Sequence, residues 1–375
     1  MTRTISRPSI ANRLFAAVLC GMAVTAGAEE ACTMQARPFG ILSSGEQVKA
    51  YTLRNSQLGV TVLDYGGILY AIDAPDRHGV SRNVVRTLEG LPQYESYPSF
   101  SRIVGRYAGR IDNGGFTLDG KRHTLVARPD GVSVHGGPHG FGMRMWKAKP
   151  VACGVELFLT SPDGDNGFPG ELRVVARFRL EGGDLRIDYT ATTDRPTVAN
   201  LTHHAFFNLS DAPTIHGHTL TVHAGRWLPT DAKRVPTGEI VPVRGALDLR
   251  LGREVGTVAN SDDDDVKANK GLDHTFVLDT RHAATLADPA SGRVLEVFTT
   301  EPGLVVFSGN GFNGSLRDAE GRPLVKGAGL ALETQHYPNS PNLPAFPSTV
   351  VRPGSPLRST TVFRFRTEPA PPTVR

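Results

Sequence analysis

The chain of 375 residues is poor in several residue types that would announce a mechanism. It has three cysteines, two tryptophans and five methionines. No C-x-x-C or other close cysteine spacing is present to suggest a zinc site. No apolar run is long enough to settle as a membrane-spanning helix. No stretch sustains a capped 3.6-residue apolar period, so a helical bundle is excluded and helices should be few and short. There is no internal repeat. Charge of one sign is also missing: 41 basic side chains stand against 37 acidic ones.

The N-terminus carries a leader. Arg3, Arg7 and Arg13 are followed by the apolar stretch Leu14 to Ala26 and by Ala26-Gly27-Ala28, an A-x-A cleavage pattern. This predicts export to the periplasm or medium, with residues 1–28 removed and the mature chain starting near Glu29. A lipid anchor at Cys20 competes, but Leu19 sits where a small residue is expected. Cleavage would leave 38 basic and 37 acidic groups, a formal charge of +1. The sequence pI of about 9.0 therefore gives no argument for nucleic acid as a partner. Cys32 and Cys153 could pair in an oxidising compartment, but sequence alone does not say that they meet.

What the chain does have is alternation. Val174, Ala176, Phe178 and Leu180 alternate with Arg173, Arg177 and Arg179. After Glu181-Gly182-Gly183-Asp184, Leu185, Ile187, Tyr189 and Ala191 alternate with Arg186, Asp188 and Thr190. That pattern predicts a hairpin with one wet face. Val60–Leu63, Thr219–Val222, Val294–Phe298 and Val362–Phe365 read similarly. The acidic run Asp262 to Asp265 is expected as a solvated loop, and the Pro-rich tail after about residue 368 as frayed. The expected fold class is all-β: one large antiparallel sandwich domain over residues 29–375.

Five polar residues stand out. Glu333 follows the inward-facing pair Leu330 and Leu332 near a strand end. Partial burial there can raise a carboxyl pKa towards that of a general base, although a solvated rim glutamate has the same local look. His203 and His204 are adjacent, so on a strand they point to opposite faces and cannot share one metal. His135 lies on the glycine-rich stretch His135-Gly136-Gly137, whose glycines permit close backbone approach. Asp273 lies in Gly271–Leu278, a loop running into a strand, and could accept sugar hydroxyls or cap a turn.

Taken with Val104-Gly105-Arg106-Tyr107-Ala108-Gly109-Arg110-Ile111, these segments resemble the aldose 1-epimerase (mutarotase) family. The likeness runs from about Gln47 to Phe365 in the family's order. It includes Asp64-Tyr65-Gly66-Gly67, Ser161-Pro162-Asp163-Gly164-Asp165-Asn166-Gly167-Phe168-Pro169-Gly170, and Leu228-Pro229-Thr230 with Pro236-Thr237-Gly238-Glu239-Ile240. The resemblance implies a β-supersandwich with an open sugar groove, a small-molecule aldose as partner, and no cofactor or metal. It implies Glu333 as general base, His204 as general acid, His135 as a sugar contact that assists at the ring oxygen, and Arg110 and Asp273 as hydroxyl binders. Arg106 is expected to be a structural ion-pair partner. Phe206, Phe207, Trp146 and Phe307 are candidate apolar walls. Three departures bear on substrate choice. Gly109 stands where many members have Asn, Val305 where many have Gln, and Arg128-Pro129 where an Asn-containing segment is common. Three other readings compete: a glycoside hydrolase with Asp273 and Glu333 as its carboxylates, a sugar-binding protein without catalysis, and a hexose-phosphate epimerase, which would want more basic groove residues than Arg110 and which export disfavours.

Overall fold

Alternation of apolar and polar side chains becomes strand after strand, because period-two patterning buries one face of a pleated sheet. The computed structural model describes residues 1–2 and 32–370, so the leader and the lipidation alternative lie outside the described residues. From Cys32 onward the described residues form one compact unit. The chain starts as a five-stranded antiparallel meander, Thr33–Ile41 through Ser81–Asn83. A nine-stranded sheet has the Leu172–Glu181 and Asp184–Thr193 hairpin near its middle and the long C-terminal strand Leu357–Thr367 beside it. The hairpin has the predicted wet face: along Leu172–Glu181, buried positions alternate with exposed or half-buried ones.

A six-stranded sheet carries the site. Its order is Phe206–Phe207, Leu330–Gln335, Gly303–Phe307, Asp273–Val277, Arg226–Leu228 and Val241–Pro242. One face supplies Leu330, Leu332, Leu304, Val306 and Phe276 to the main core. There they join Phe178, Leu185, Ile187, Leu295, Val297 and Phe363 from the nine-stranded sheet, and Val60, Val62 and Ile72 from the meander. This is the packed-sheet architecture of a β-supersandwich. Among the described residues helices are short, as expected, the longest α-helix being Leu91–Ser96.

Two local expectations need correction. The acidic run is not wholly a loop. Asp263 caps a helix over Asp264–Ala268, its side chain accepting from the backbone N–H groups of Asp265 and Val266. Carboxylates suit a helix N-terminus, where amide hydrogens are unsatisfied. Arg106 is structural, but carbonyls rather than a carboxylate hold it. Its guanidinium donates to the backbone oxygens of Ser161, Pro169 and Gly170 at 2.8–2.9 Å and lies over the Phe168 ring. The open question of the cysteines is answered: Cys32 and Cys153 are disulfide-bonded, with Cα atoms 5.5 Å apart.

Candidate active site

Register decides which side chains reach the cleft. On the face opposite the main core, Glu333 pairs with Val305, and Val305 with Thr275. One step along, Ala331 pairs with Phe307, and Phe307 with Asp273. Three adjacent strands thus present two rows of side chains. Glu333, Val305, Thr275, Phe307 and Asp273 from these rows, together with Arg110, His135, His204 and Gln335, line a cleft of ≈ 150 Å³. Every residue expected in the site from sequence, namely Glu333, His204, His135, Arg110 and Asp273, lines this one cleft.

The adjacent histidines separate as the period of a strand requires. His203, in the short strand Thr202–His203, turns inward; its Nε2 is 3.1 Å from the Gly67 carbonyl and its ring meets Phe178 edge-on. His204 turns to the cleft and brings Nε2 to 3.4 Å from Glu333 Oε1. The His204 ring rests on Phe206 at 4.8 Å and approaches Phe307 at 6.0 Å and His135 at 5.8 Å. The backbone N–H of His204 donates to the carbonyl of Arg102, a fully buried residue. Of the four aromatic wall candidates, Phe206 and Phe307 serve the site. Phe207 and Trp146 do not: Phe207 packs against Phe363 in the main core with the rings tilted, and Trp146 donates its Nε1–H to the Phe141 carbonyl.

His135 is held by two bonds to one residue. Its N–H donates to the Gly109 carbonyl at 2.9 Å, and its Nδ1 accepts the Gly109 N–H at 3.3 Å. With Nδ1 accepting, the proton of the neutral ring sits on Nε2. The supporting loop needs its glycine: a Cβ at Gly136 would lie 2.4 Å from the backbone of Gly105 and Arg106. Gly109 has φ of +79°, a left-handed position that glycine takes readily.

Burial tunes the pair at the centre. Glu333 is only 3% exposed. Burial first, and then the charge of Asp273, push its carboxyl up to about 8, with Arg110 pulling the other way. Burial pushes the His204 imidazole down to about 4, opposed by a backbone hydrogen bond and Asp273. His135 is also held well below the usual histidine range, by burial first and then by His204 and Arg110.

Sequence reading missed two residues. Gln335 lies two positions beyond Glu333, so alternation alone puts it on the same face. It is fully buried, its Nε2 donates to the His336 carbonyl, and its Oε1 has no partner among the described residues. Arg234 comes from a loop with no periodic signal. It lines the cleft and sits 3.5 Å from Asp273 Oδ2, the same oxygen that Arg110 approaches at 3.7 Å.

Known proteins share this arrangement of sheets. The family model described as aldose 1-epimerase matches residues 49–364. A mouse protein named galactose mutarotase is 40% identical over 336 residues, covering 87% of this chain and 97% of the mouse protein. An Escherichia coli aldose 1-epimerase is 34% identical over 337 residues, covering 86% and 97%. The crystal structure of a galactose 1-epimerase from Lactobacillus acidophilus superposes with a TM-score of 0.80 at 27% identity, covering 90% of this chain and 99% of that one.

Proposed function

We propose that this chain, which belongs to the aldose 1-epimerase family, interconverts the α and β anomers of free aldoses by acid–base ring opening and closure. Glu333 takes the proton of the anomeric hydroxyl. His204 gives a proton to the ring oxygen as the bond from C1 to that oxygen breaks. The aldehyde end turns about the C1–C2 bond, the two proton transfers reverse, and the ring closes on the other face. No net proton is gained or lost. His135 donates from Nε2–H to the sugar near the ring oxygen, and Arg110 and Asp273 hold hydroxyls.

One observation carries this reading: the 3.4 Å contact between His204 Nε2 and Glu333 Oε1 at the floor of the cleft. The two oxygens that exchange protons hang on a single carbon, so acid and base must stand within a few ångströms of each other. Between pH of about 4 and about 8 the pair holds one proton. In the empty cleft it rests on Glu333. The reacting form has it on His204, leaving the carboxylate free to act as base. Above about 8 the acid is lost, and below about 4 a second proton blocks the base, so the rate should follow a bell between those limits.

The test is polarimetry of freshly dissolved α-galactose and α-glucose with purified protein across that pH range. Faster equilibration with a bell-shaped profile is expected. Sugar binding without acceleration would favour a binding protein, and release of reducing ends from glycosides would favour a hydrolase. Export with cleavage near Ala28 belongs to the same proposal. The leader supports it, and so does the Cys32–Cys153 bridge, which an oxidising compartment favours. N-terminal sequencing checks it; a chain retaining Met1, or lipidated at Cys20, would overturn it.

A further inference from the structure

The charged groups lining the cleft do not balance. Arg110 and Arg234 are cationic, Asp273 is anionic, and among the described residues Glu333 is the only other ionisable carboxyl lining it. Glu333 is largely neutral in the empty cleft at neutral pH, because burial raises its pKa to about 8. The neighbouring Lys233 adds no surplus, since its ammonium lies 3.1 Å from Asp112. One guanidinium is therefore in excess, and Arg234 is the one free to act. Its side chain is 41% exposed against 20% for Arg110. Both contact the same oxygen of Asp273, so Asp273 keeps Arg110 as a partner when Arg234 turns away. A half-exposed ion pair of this kind stabilises the fold little, and exchanging it for another anion costs little.

Local structure aims this side chain. The Asp231 carboxylate accepts from the N–H groups of Lys233 and Val235, both at 2.9 Å, and the N–H of Arg234 donates to the Asp231 carbonyl at 2.8 Å. The turn leaves Arg234 at φ of +62°. A residue with a side chain occupies that left-handed region at a cost that glycine would avoid. Elsewhere in the cleft, Gly109, Val305 and Pro338 offer no side-chain hydrogen bond, while Tyr97, Ser99, Thr230, Thr275 and Gln335 are neutral polar groups that can meet uncharged hydroxyls.

We propose that Arg234 is a substrate-contacting residue that makes the cleft select aldoses bearing an anionic substituent, a carboxylate or a phosphate, over neutral aldoses. The proposal rests on the anomer-exchange reading and specifies its substrate class. A guanidinium fork matches either anion with paired donors.

The experiment measures initial mutarotation rates with galactose, galacturonate and galactose 6-phosphate at neutral pH, each corrected for its spontaneous rate. Wild type is compared with Arg234→Gln and Arg234→Lys, with circular dichroism to confirm folding. Wild type should give a higher kcat/KM for at least one anionic sugar than for galactose, and the two anionic arms show which anion is taken. That ratio should fall by about tenfold or more in Arg234→Gln, be partly kept in Arg234→Lys, and shrink with added salt. A wild-type ratio below one, or a ratio unchanged by Arg234→Gln, overturns the proposal. Calorimetric titration of the same sugars into the same proteins separates the two readings. If no sugar is turned over, the enzymatic reading fails, while the binding ratio still decides the anion preference.

Discussion

Every residue of the strand Leu330–Gln335 is buried, yet its two faces are buried to opposite effect. On the core face, Leu330 and Leu332 shed water among Val306, Leu304 and Phe363, and each such side chain stabilises the fold by about 1.5–3 kcal/mol. On the cleft face, Glu333 is as well hidden as its neighbours, but hiding a carboxyl disfavours its charged form. The same loss of water that holds the core together makes Glu333 a stronger base once its proton has moved to His204. The comparison teaches that burial here has no fixed sign: its effect depends on which way the strand turns the side chain.

The sharpest way to break the comparison is to remove the chemistry and keep the shape. Glu333→Gln and His204→Ala should each lower kcat by at least roughly 100-fold, because general acid–base catalysis contributes about 10²–10⁴-fold. The double variant should lose little more than either single one, since the pair acts as a unit. Steady-state polarimetry measures this, and a folded Glu333→Gln retaining over about a tenth of wild-type kcat would remove Glu333 from the role of base.

Next comes stability, where the two faces should diverge in direction. Leu332→Ala should destabilise by about 2–5 kcal/mol at any pH, while the protein still folded changes in kcat far less than Glu333→Gln. Glu333→Gln should instead stabilise at high pH. The folded pKa of Glu333 lies above its ordinary value of 4.5. Its stabilising contribution is therefore complete below about 4.5 and is lost as pH rises through about 8. At pH of about 9 the Gln variant should be more stable than wild type by an amount on the order of a few kcal/mol, and at pH of about 4 the gap should close. Denaturation curves at both pH values check both variants.

The smallest effect should come from Val305→Gln. Val305 is the direct cross-strand partner of Glu333. An amide there can donate to the carboxylate and favour its charged form, so the alkaline limb of the rate profile should move to lower pH by less than about one unit. A limb that stays fixed or moves up would show that this neighbour does not tune the base.

Much of this was readable before any coordinates. Period-two alternation located the Leu172–Glu181 hairpin, the inward turn of Leu330 and Leu332, and the parting of His203 from His204, because a pleated strand leaves no other choice of face. The likeness to a family then brought Glu333, His204, His135, Arg110 and Asp273 together, which alternation could not do across five segments. What stayed hidden depends on tertiary position. Arg234 sits on a loop whose turn chemistry is plain (Asp231 accepting from two amides), but whose direction is set by the strands on either side. The carbonyl cage around Arg106 is built from residues more than fifty positions away. The cap at Asp263 was available in the sequence as an acidic residue before a short apolar-containing segment, and charge density masked it.

The two rows across the six-stranded sheet carry an implication for how such a cleft can change over time. A strand has only two faces, so adding or deleting one residue between Gly303 and Phe307 would exchange them, turning Val305 and Phe307 inward and Leu304 and Val306 out. Adding two restores the faces but moves each side chain by roughly 6–7 Å along the strand. The floor of the cleft can therefore not be adjusted by degrees through changes of length, only by substitution in place. Loops such as 229–236 are under no such restriction, and can lengthen, shorten or turn a new side chain towards the sugar while Glu333 and His204 keep their separation. Diversity of substrate should accordingly collect at the rim, and constancy of chemistry at the floor.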